Sequence, residues 1–180
     1  MEQAIHTTPA LRVAVLTVSD SRSLDNDRSG DALVAHLSQD GHALADRRLV
    51  ADDVYRIRAV VSNWIADPAV DVVVSTGGTG PTGRDNTVVA VRRLLDRELP
   101  GFGELFRRLS YEEIGSAAML SDALGGTANG TLLFCLPGST GACHTAWNGI
   151  LREQLGRQGS RCRMAVLKPR LLEGAPPGAD

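Results

Sequence analysis

The sequence carries no surplus of charge of either sign. Its 180 residues include 19 basic and 21 acidic side chains, a net charge of −2. Without a basic field, nucleic acid is excluded as a main partner. No apolar run approaches the length a bilayer demands, so no membrane span is expected. The first residues, Met1 to His6, lack a basic region followed by an apolar one, and no signal peptide is expected. Cysteine is scarce. Cys135, Cys143 and Cys162 are odd in number and show no CxxC spacing, which argues against a disulfide framework or a zinc knuckle and suits reduced thiols in a cytoplasmic protein. No second histidine is placed by the sequence to join His144 in a zinc site or a triad. Internal repeats are absent. What remains is a chain of single-domain length with 43% hydrophobic residues, enough for a core.

Those hydrophobic residues are arranged in alternating patterns. Leu11 to Val18 is a continuous apolar run, as in a parallel strand buried on both faces. Gly30, Leu33, Val34 and Leu37 lie on one face of a helix that Gly41 ends. Ala45 to Val50 is a more polar strand, nearer an edge. Ile57, Val60, Val61, Trp64 and Ile65 mark a second helix, begun by Asp52 or Asp53. Val70 to Ser75 is a third strand, and a helix capped by Asn86 or Thr87 carries Val88, Val91, Leu94 and Leu95. Pro100-Gly101 breaks the chain before a helix over 102–113, whose phenylalanines need burial and offer a route to a trimer. Gly125-Gly126 and Asn129-Gly130 read as turns. Thr131 to Leu136 is another buried strand, followed by a helix with Cys143, Ala146, Trp147, Ile150 and Leu151 in phase. Trp64 and Trp147 fall on apolar faces and read as core. Residues 1–10 read as an extension, 11–168 as the domain and 169–180 as a flexible tail.

Repeated strand–helix units predict a mostly parallel sheet in a three-layer α/β/α sandwich. Ligands in such folds bind beyond the carboxyl ends of the strands. Three loops leave strands there: 19–30, 76–85 and 137–140. Each is rich in Gly, Ser, Thr or Asp, and their convergence is expected.

The second of these loops is the most informative. Val72-Val73-Val74-Ser75-Thr76-Gly77-Gly78-Thr79-Gly80-Pro81-Thr82-Gly83-Arg84-Asp85 runs a buried strand into a glycine-rich turn ending in a carboxylate. Exposed backbone N–H groups of such a turn bind phosphate oxygens. Asp85 would repel a bare phosphate, and its presence makes sense if Mg²⁺ sits between the two. The dinucleotide fingerprint fails here because Pro81 interrupts it, and the P-loop fails because Arg84-Asp85 replaces Lys and Ser or Thr. A glycine turn that only connects strand to helix is the bland alternative. Ser139 and Thr140 open the last helix, where Ser139 is a simple cap or also holds an anion. Ser19-Asp20-Ser21 binds polar ligand groups or forms a turn, and Asp27 caps or turns the chain. Of Asp52 and Asp53, one caps the following helix and the other is free to join Asp85 at a metal.

Taken together, Thr17-Val18-Ser19-Asp20-Ser21, Asp27-Arg28-Ser29-Gly30, Thr76-Gly77-Gly78-Thr79-Gly80-Pro81 with Arg84-Asp85, Pro100-Gly101-Phe102-Gly103-Glu104 and Pro137-Gly138-Ser139 resemble the MoaB/Mog family of molybdenum cofactor biosynthesis proteins. Leu109 to Gly115 and Pro137 to Cys143 look closer to its B-type branch. The resemblance implies a molybdopterin-binding domain that assembles as a homotrimer or homohexamer. It implies molybdopterin as substrate, ATP as co-substrate and Mg²⁺ as cofactor, with adenylylation of the pterin's terminal phosphate and release of pyrophosphate. It also implies transient contact with a molybdenum insertion protein. Carried over by motif, Asp85 and Asp52 are the catalytic and Mg²⁺-holding residues. Ser19, Asp20, Thr76, Gly77, Gly78, Thr79, Gly80, Pro137, Gly138 and Ser139 line the pocket. A non-catalytic carrier of molybdopterin is the alternative reading.

Overall fold

The computed structural model describes residues 6–159 and 162–173. In chain order the elements are β1 (His6–Thr7), β2 (Arg12–Val18), α1 (Arg28–Gln39), β3 (Ala43–Val50), α2 (Val54–Ala66), β4 (Val72–Thr76), α3 (Thr87–Arg92), β5 (Arg97–Glu98), α4 (Pro100–Ile114), β6 (Leu124–Ala128), β7 (Thr131–Leu136), α5 (Thr140–Ala146), α6 (Arg152–Leu155), β8 (Gln158–Gly159) and α7 (Met164–Leu167). A π-helical turn, Trp147–Leu151, joins α5 to α6.

The main sheet has six strands in the order β3-β2-β4-β7-β6-β5. β2, β3, β4 and β7 run parallel; β6 runs antiparallel to β7, and β5 at the far edge runs antiparallel to β6 and so in the direction of the other four. β2 explains its unbroken apolar run. Val13 and Val15 join one core with α1, α4 and α5, whereas Ala14, Leu16 and Val18 join a second core with α2 and α3. Side chains alternate across a strand, so two-sided burial leaves Thr17 as the one polar side chain after Arg12, its hydroxyl satisfied by Asp27 at 2.6 Å. The result is the three-layer α/β/α sandwich with a mostly parallel sheet.

From β2 the chain crosses to β3 on one side, and from β3 it crosses back over to β4 on the other. The loops after β2 and β4 therefore diverge at the carboxyl edge and leave a crevice between them, the usual place for a ligand in an open α/β sheet.

The sequence patterns fail at four places. Gly125-Gly126 is not a turn but the middle of β6. A Cβ on Gly125 would lie 2.7 Å from Phe102 Cβ, and one on Gly126 would lie 2.4 Å from Leu95 Cδ1. Both glycines exist because packing presses on both faces of that strand. Asn129-Gly130 is the real turn, with φ of 45° and 73° between β6 and β7. α4 begins at Pro100, two residues earlier than the pattern suggests, with the proline in the first turn where its missing N–H costs nothing. Phe102 and Phe106 are buried within the chain, 6% and 1% exposed, and need no partner subunit. Finally, α3 ends at Arg92, so Leu94 and Leu95 pack from the turn that follows it.

Trp64 and Trp147 are core residues, 5% and 0% exposed. At the amino ends of the strands Asp71 ties the chain together. Its carboxylate accepts from Arg12 N and Nε, both at 2.8 Å, and pairs with Lys168 Nζ at 2.9 Å. Burial would raise its pKa, but Arg12 and Lys168 overcome this and hold it at about 2. A 3-10 turn, Lys168–Arg170, runs from the last residue of the expected domain into the expected tail, and residues 174–180 lie outside the described residues. Among the described residues no helix is long and apolar enough to cross a membrane.

Candidate active site

The three loops converge. A cleft of about 480 Å³ opens at the carboxyl edge and is lined by the ends of the loops after β2, β4 and β7. Of the residues singled out in the sequence, Ser19, Gly77, Gly78, Thr79, Gly80, Asp85, Pro137, Gly138 and Ser139 line it. Thr76, Asp20 and Asp52 are not among the lining residues.

Backbone contacts explain the glycines. Gly77 has φ +98°, and a Cβ there would lie 2.2 Å from Val18 O. A Cβ on Gly138 would meet Gly77 Cα at 3.2 Å. Only glycine allows these three loop ends to approach so closely. Thr76 is fully buried and serves this junction, its hydroxyl donating to Pro137 O at 2.9 Å.

The carboxylates have separate tasks. Asp53 caps α2 by accepting from Tyr55 N and Arg56 N. Asp52 is therefore freed from capping, and it accepts from Asn86 N at 3.0 Å. Asp20 braces it from the other side by accepting from Asp52 N at 2.9 Å. Burial pushes the Asp52 carboxyl up; Asn86 opposes the shift, and the charges of Asp20 and Asp85 add to it. Asp85 behaves in the opposite way. The Thr82 hydroxyl donates to it at 2.5 Å and Thr82 N at 3.0 Å, holding its pKa below the usual range against a small burial effect. Asp85 also lies under the glycine loop, where a Cβ on Gly80 would fall 2.7 Å from its Oδ2.

Asp27 is the N-cap of α1 and is fully buried. It accepts from Thr17 Oγ1 at 2.6 Å and Arg47 Nη2 at 3.0 Å. Burial pushes its pKa up, but these donors and Gly30 N outweigh that and hold it down. Ser139 caps α5, accepting from Ala142 N at 3.1 Å.

Two features lay beyond the reach of the sequence. Arg22, Leu120 and Ser121 line the cleft, together with Ser21 of the polar turn already singled out; Arg22 follows Ser19-Asp20-Ser21 directly, and its charge beside a polar loop was the available signal. His144 does have a histidine partner: His36 Nε2 lies 2.7 Å from His144 Nδ1. The pair is 108 residues apart in sequence and leaves no local signature. Among the described residues no group of three or more His, Cys, Asp or Glu is arranged to hold a metal.

Fold and cleft define a parallel α/β protein whose ligand site lies at the switch point of its sheet. Residues 14–157 match the family described as "Probable molybdopterin binding domain", and the chain belongs to that family. Molybdenum cofactor biosynthesis protein B of Escherichia coli K12 is 48% identical over 151 residues, covering 84% of this chain and 89% of the relative. A crystal structure of a molybdenum cofactor biosynthesis protein B superposes with TM-score 0.78 at 44% identity, over 81% of this chain and 91% of the other. The tungsten cofactor synthesizing protein MoaB of Pyrococcus furiosus superposes with TM-score 0.72 at 36% identity, over 79% and 91%.

Proposed function

We propose that this protein acts in molybdenum cofactor biosynthesis as a cytoplasmic molybdopterin adenylyltransferase. The terminal phosphate of molybdopterin attacks the α-phosphorus of ATP. A new P–O–P bond forms, the α–β bridging bond breaks, and pyrophosphate leaves. The observation that carries this reading is the position of Asp85, a carboxylate lining the same cleft as a glycine loop of the kind that binds anions through its backbone. An acid in a phosphate pocket needs a cation beside it. Its neighbour Asp52 carries the mark of the same crowding, a pKa raised by burial and by the charges of Asp20 and Asp85.

The residues fit Mg²⁺. That ion prefers carboxylate and phosphate oxygens and keeps several waters, so one or two protein carboxylates suffice. Asp85 and Asp52 would hold it, and bound there it would neutralise and orient the nucleotide's phosphates. Gly78 and Thr79 would contribute backbone donors, since Gly77 N is already given to Leu136 O at 3.0 Å and Gly80 N to Asp85, while Pro137, Gly138 and Ser139 close the far wall. Phosphoryl-group chemistry asks for positioning and charge neutralisation more than for a strong base. For assembly we propose a homotrimer or homohexamer, supported by exposed apolar side chains on and after α4: Tyr111, Ile114 and Met119 are 63%, 55% and 78% exposed. Transient contact with a molybdenum insertion protein would deliver the product.

One observation favours a non-catalytic carrier instead. Asp85 already accepts two hydrogen bonds from Thr82, as a residue that merely closes a loop would. Purified protein mixed with molybdopterin, Mg²⁺ and α-labelled ATP separates the two. Adenylylated pterin and pyrophosphate that vanish in Asp85→Asn, with pterin affinity kept, support the transferase. Tight pterin binding without product supports the carrier.

A further inference from the structure

Arg22 is the one cation among the described residues that line the cleft. Its position is built rather than incidental. Ser19 Oγ accepts from Ser21 N at 3.3 Å and Arg22 N at 3.2 Å, turning the chain as it leaves β2. The guanidinium is then tethered through one nitrogen. Arg22 Nη1 donates to Ser29 Oγ at 3.2 Å and lies 3.8 Å from Asp27 Oδ1. Ser29 Oγ in turn donates to Gly138 O at 2.8 Å. One side chain thus spans the loop after β2, the first turn of α1 and the loop after β7.

The charge of Arg22 is not spent on Asp27. That buried carboxylate is satisfied by Thr17, Gly30 N and Arg47, whose Nη2 lies at 3.0 Å, closer than Arg22. The other loop cation, Arg84, is 87% exposed and 3.7 Å from Asp20, and it is absent from the lining. Arg22 Nε and Nη2 have no hydrogen-bond partner among the described residues. Two adjacent, unspent N–H donors on a tethered guanidinium form a fork matched to two phosphate oxygens.

Resting on the transferase reading, two anionic groups must meet in one cleft. The carboxylates Asp85 and Asp52 serve the end where a metal-bound nucleotide would lie. The acceptor phosphate needs a cation of its own. We propose that Arg22 grips the phosphate monoester of the pterin substrate in a bidentate contact, making it the residue that tells phosphorylated from unphosphorylated pterin.

The test measures binding, apart from turnover, for wild type, Arg22→Met and Arg22→Lys. The probes are molybdopterin, the same pterin freed of its phosphate by a phosphatase, and Mg-ATP. A lost charge-assisted bidentate pair predicts molybdopterin binding weaker on the order of 10–100-fold in Arg22→Met. Arg22→Lys, which keeps charge but not the fork, falls between. The dephosphorylated pterin and Mg-ATP bind all three proteins within about twofold by the same reasoning. Molybdopterin affinity unchanged in Arg22→Met overturns the proposal, as does equal loss of both pterins in Met and Lys variants. Weakened Mg-ATP with intact molybdopterin binding also overturns it, by assigning the fork to the nucleotide. The transferase reading fails separately: wild type that binds both substrates without forming product removes that activity and leaves the Arg22 contact standing.

Discussion

Gly78 and Asp52 are held so close that a Cβ on Gly78 would lie 2.6 Å from Asp52 Oδ2. The same atom would fall 2.4 Å from Thr87 Oγ1, whose hydroxyl donates to Gly77 O at 2.7 Å. Gly78 also sits at φ +63°, a region costly for other residues. Gly78→Ala should therefore lose about 2 kcal/mol or more of stability, by strain and collision together. Gly83, in the same loop, has nothing within 4 Å of a built Cβ, so Gly83→Ala should leave the thermal midpoint nearly unmoved. Equal midpoints for the two variants would refute this account of the loop.

Asp71 sets an acid limit to stability. Its folded pKa of about 2 lies below its unfolded value, so its stabilisation is present above roughly pH 4 and is lost as pH falls toward about 2. The shift corresponds to about 2 kcal/mol at neutral pH. Urea titrations of Asp71→Asn should show that loss at pH 7 and convergence with wild type near pH 2. A deficit that persists undiminished at pH 2 would mean Asp71 acts through shape rather than charge.

His36 sets a separate limit at milder acidity. Burial pushes its pKa down, the charges of His144 and Arg152 add to this, and Asp40 opposes. Its ring stacks on Trp147 at a centroid distance of 5.8 Å, and its buried Nδ1 has no partner among the described residues. The unfolded chain binds the proton more readily, so stability should fall as pH drops through about 6.5. His36→Gln should flatten the denaturation midpoint between about pH 7.5 and 5.5 on the same grounds. An unaltered slope in that window would count against the assignment.

Thiol chemistry should sort the cysteines by burial. Burial pushes Cys135 to about 12 and Cys143 to about 11, while Cys162 is exposed. The thiolate is the reactive form. Ellman's reagent at pH 8 should titrate one thiol per native chain at once, and the other two only after denaturant. Rapid reaction of all three would show that the cores around β7 and α5 open readily.

The strands were legible because two-sided burial strips polar residues from them, as in β2 and β7. The glycine loop and Asp85 were legible because unusual backbone needs an unusual residue. Gly125-Gly126 misled because the code marks where a side chain is absent, not what presses on the space. The choice between Asp52 and Asp53 stayed open until the helix start was fixed: neighbours in sequence differ by a rotation that only the fold supplies. His36 and His144, on α1 and α5, carry no periodic or local signal at all. Arg22 was readable as a charge but not as a tethered fork, since its contact with Ser29 depends on how the loop folds and Gly138 lies 109 residues beyond Ser29.

The clamp of Arg12, Asp71 and Lys168 stands at the opposite pole of the sheet from the glycine loop, roughly 20 Å away along β4 at about 3.3 Å per residue. What secures the chain's ends is thus physically separate from what meets the ligand. Mutations that retune thermal tolerance can accumulate at one pole without passing through the chemistry at the other. A lineage is free to adapt to a hotter or more acidic habitat and inherit its cleft untouched.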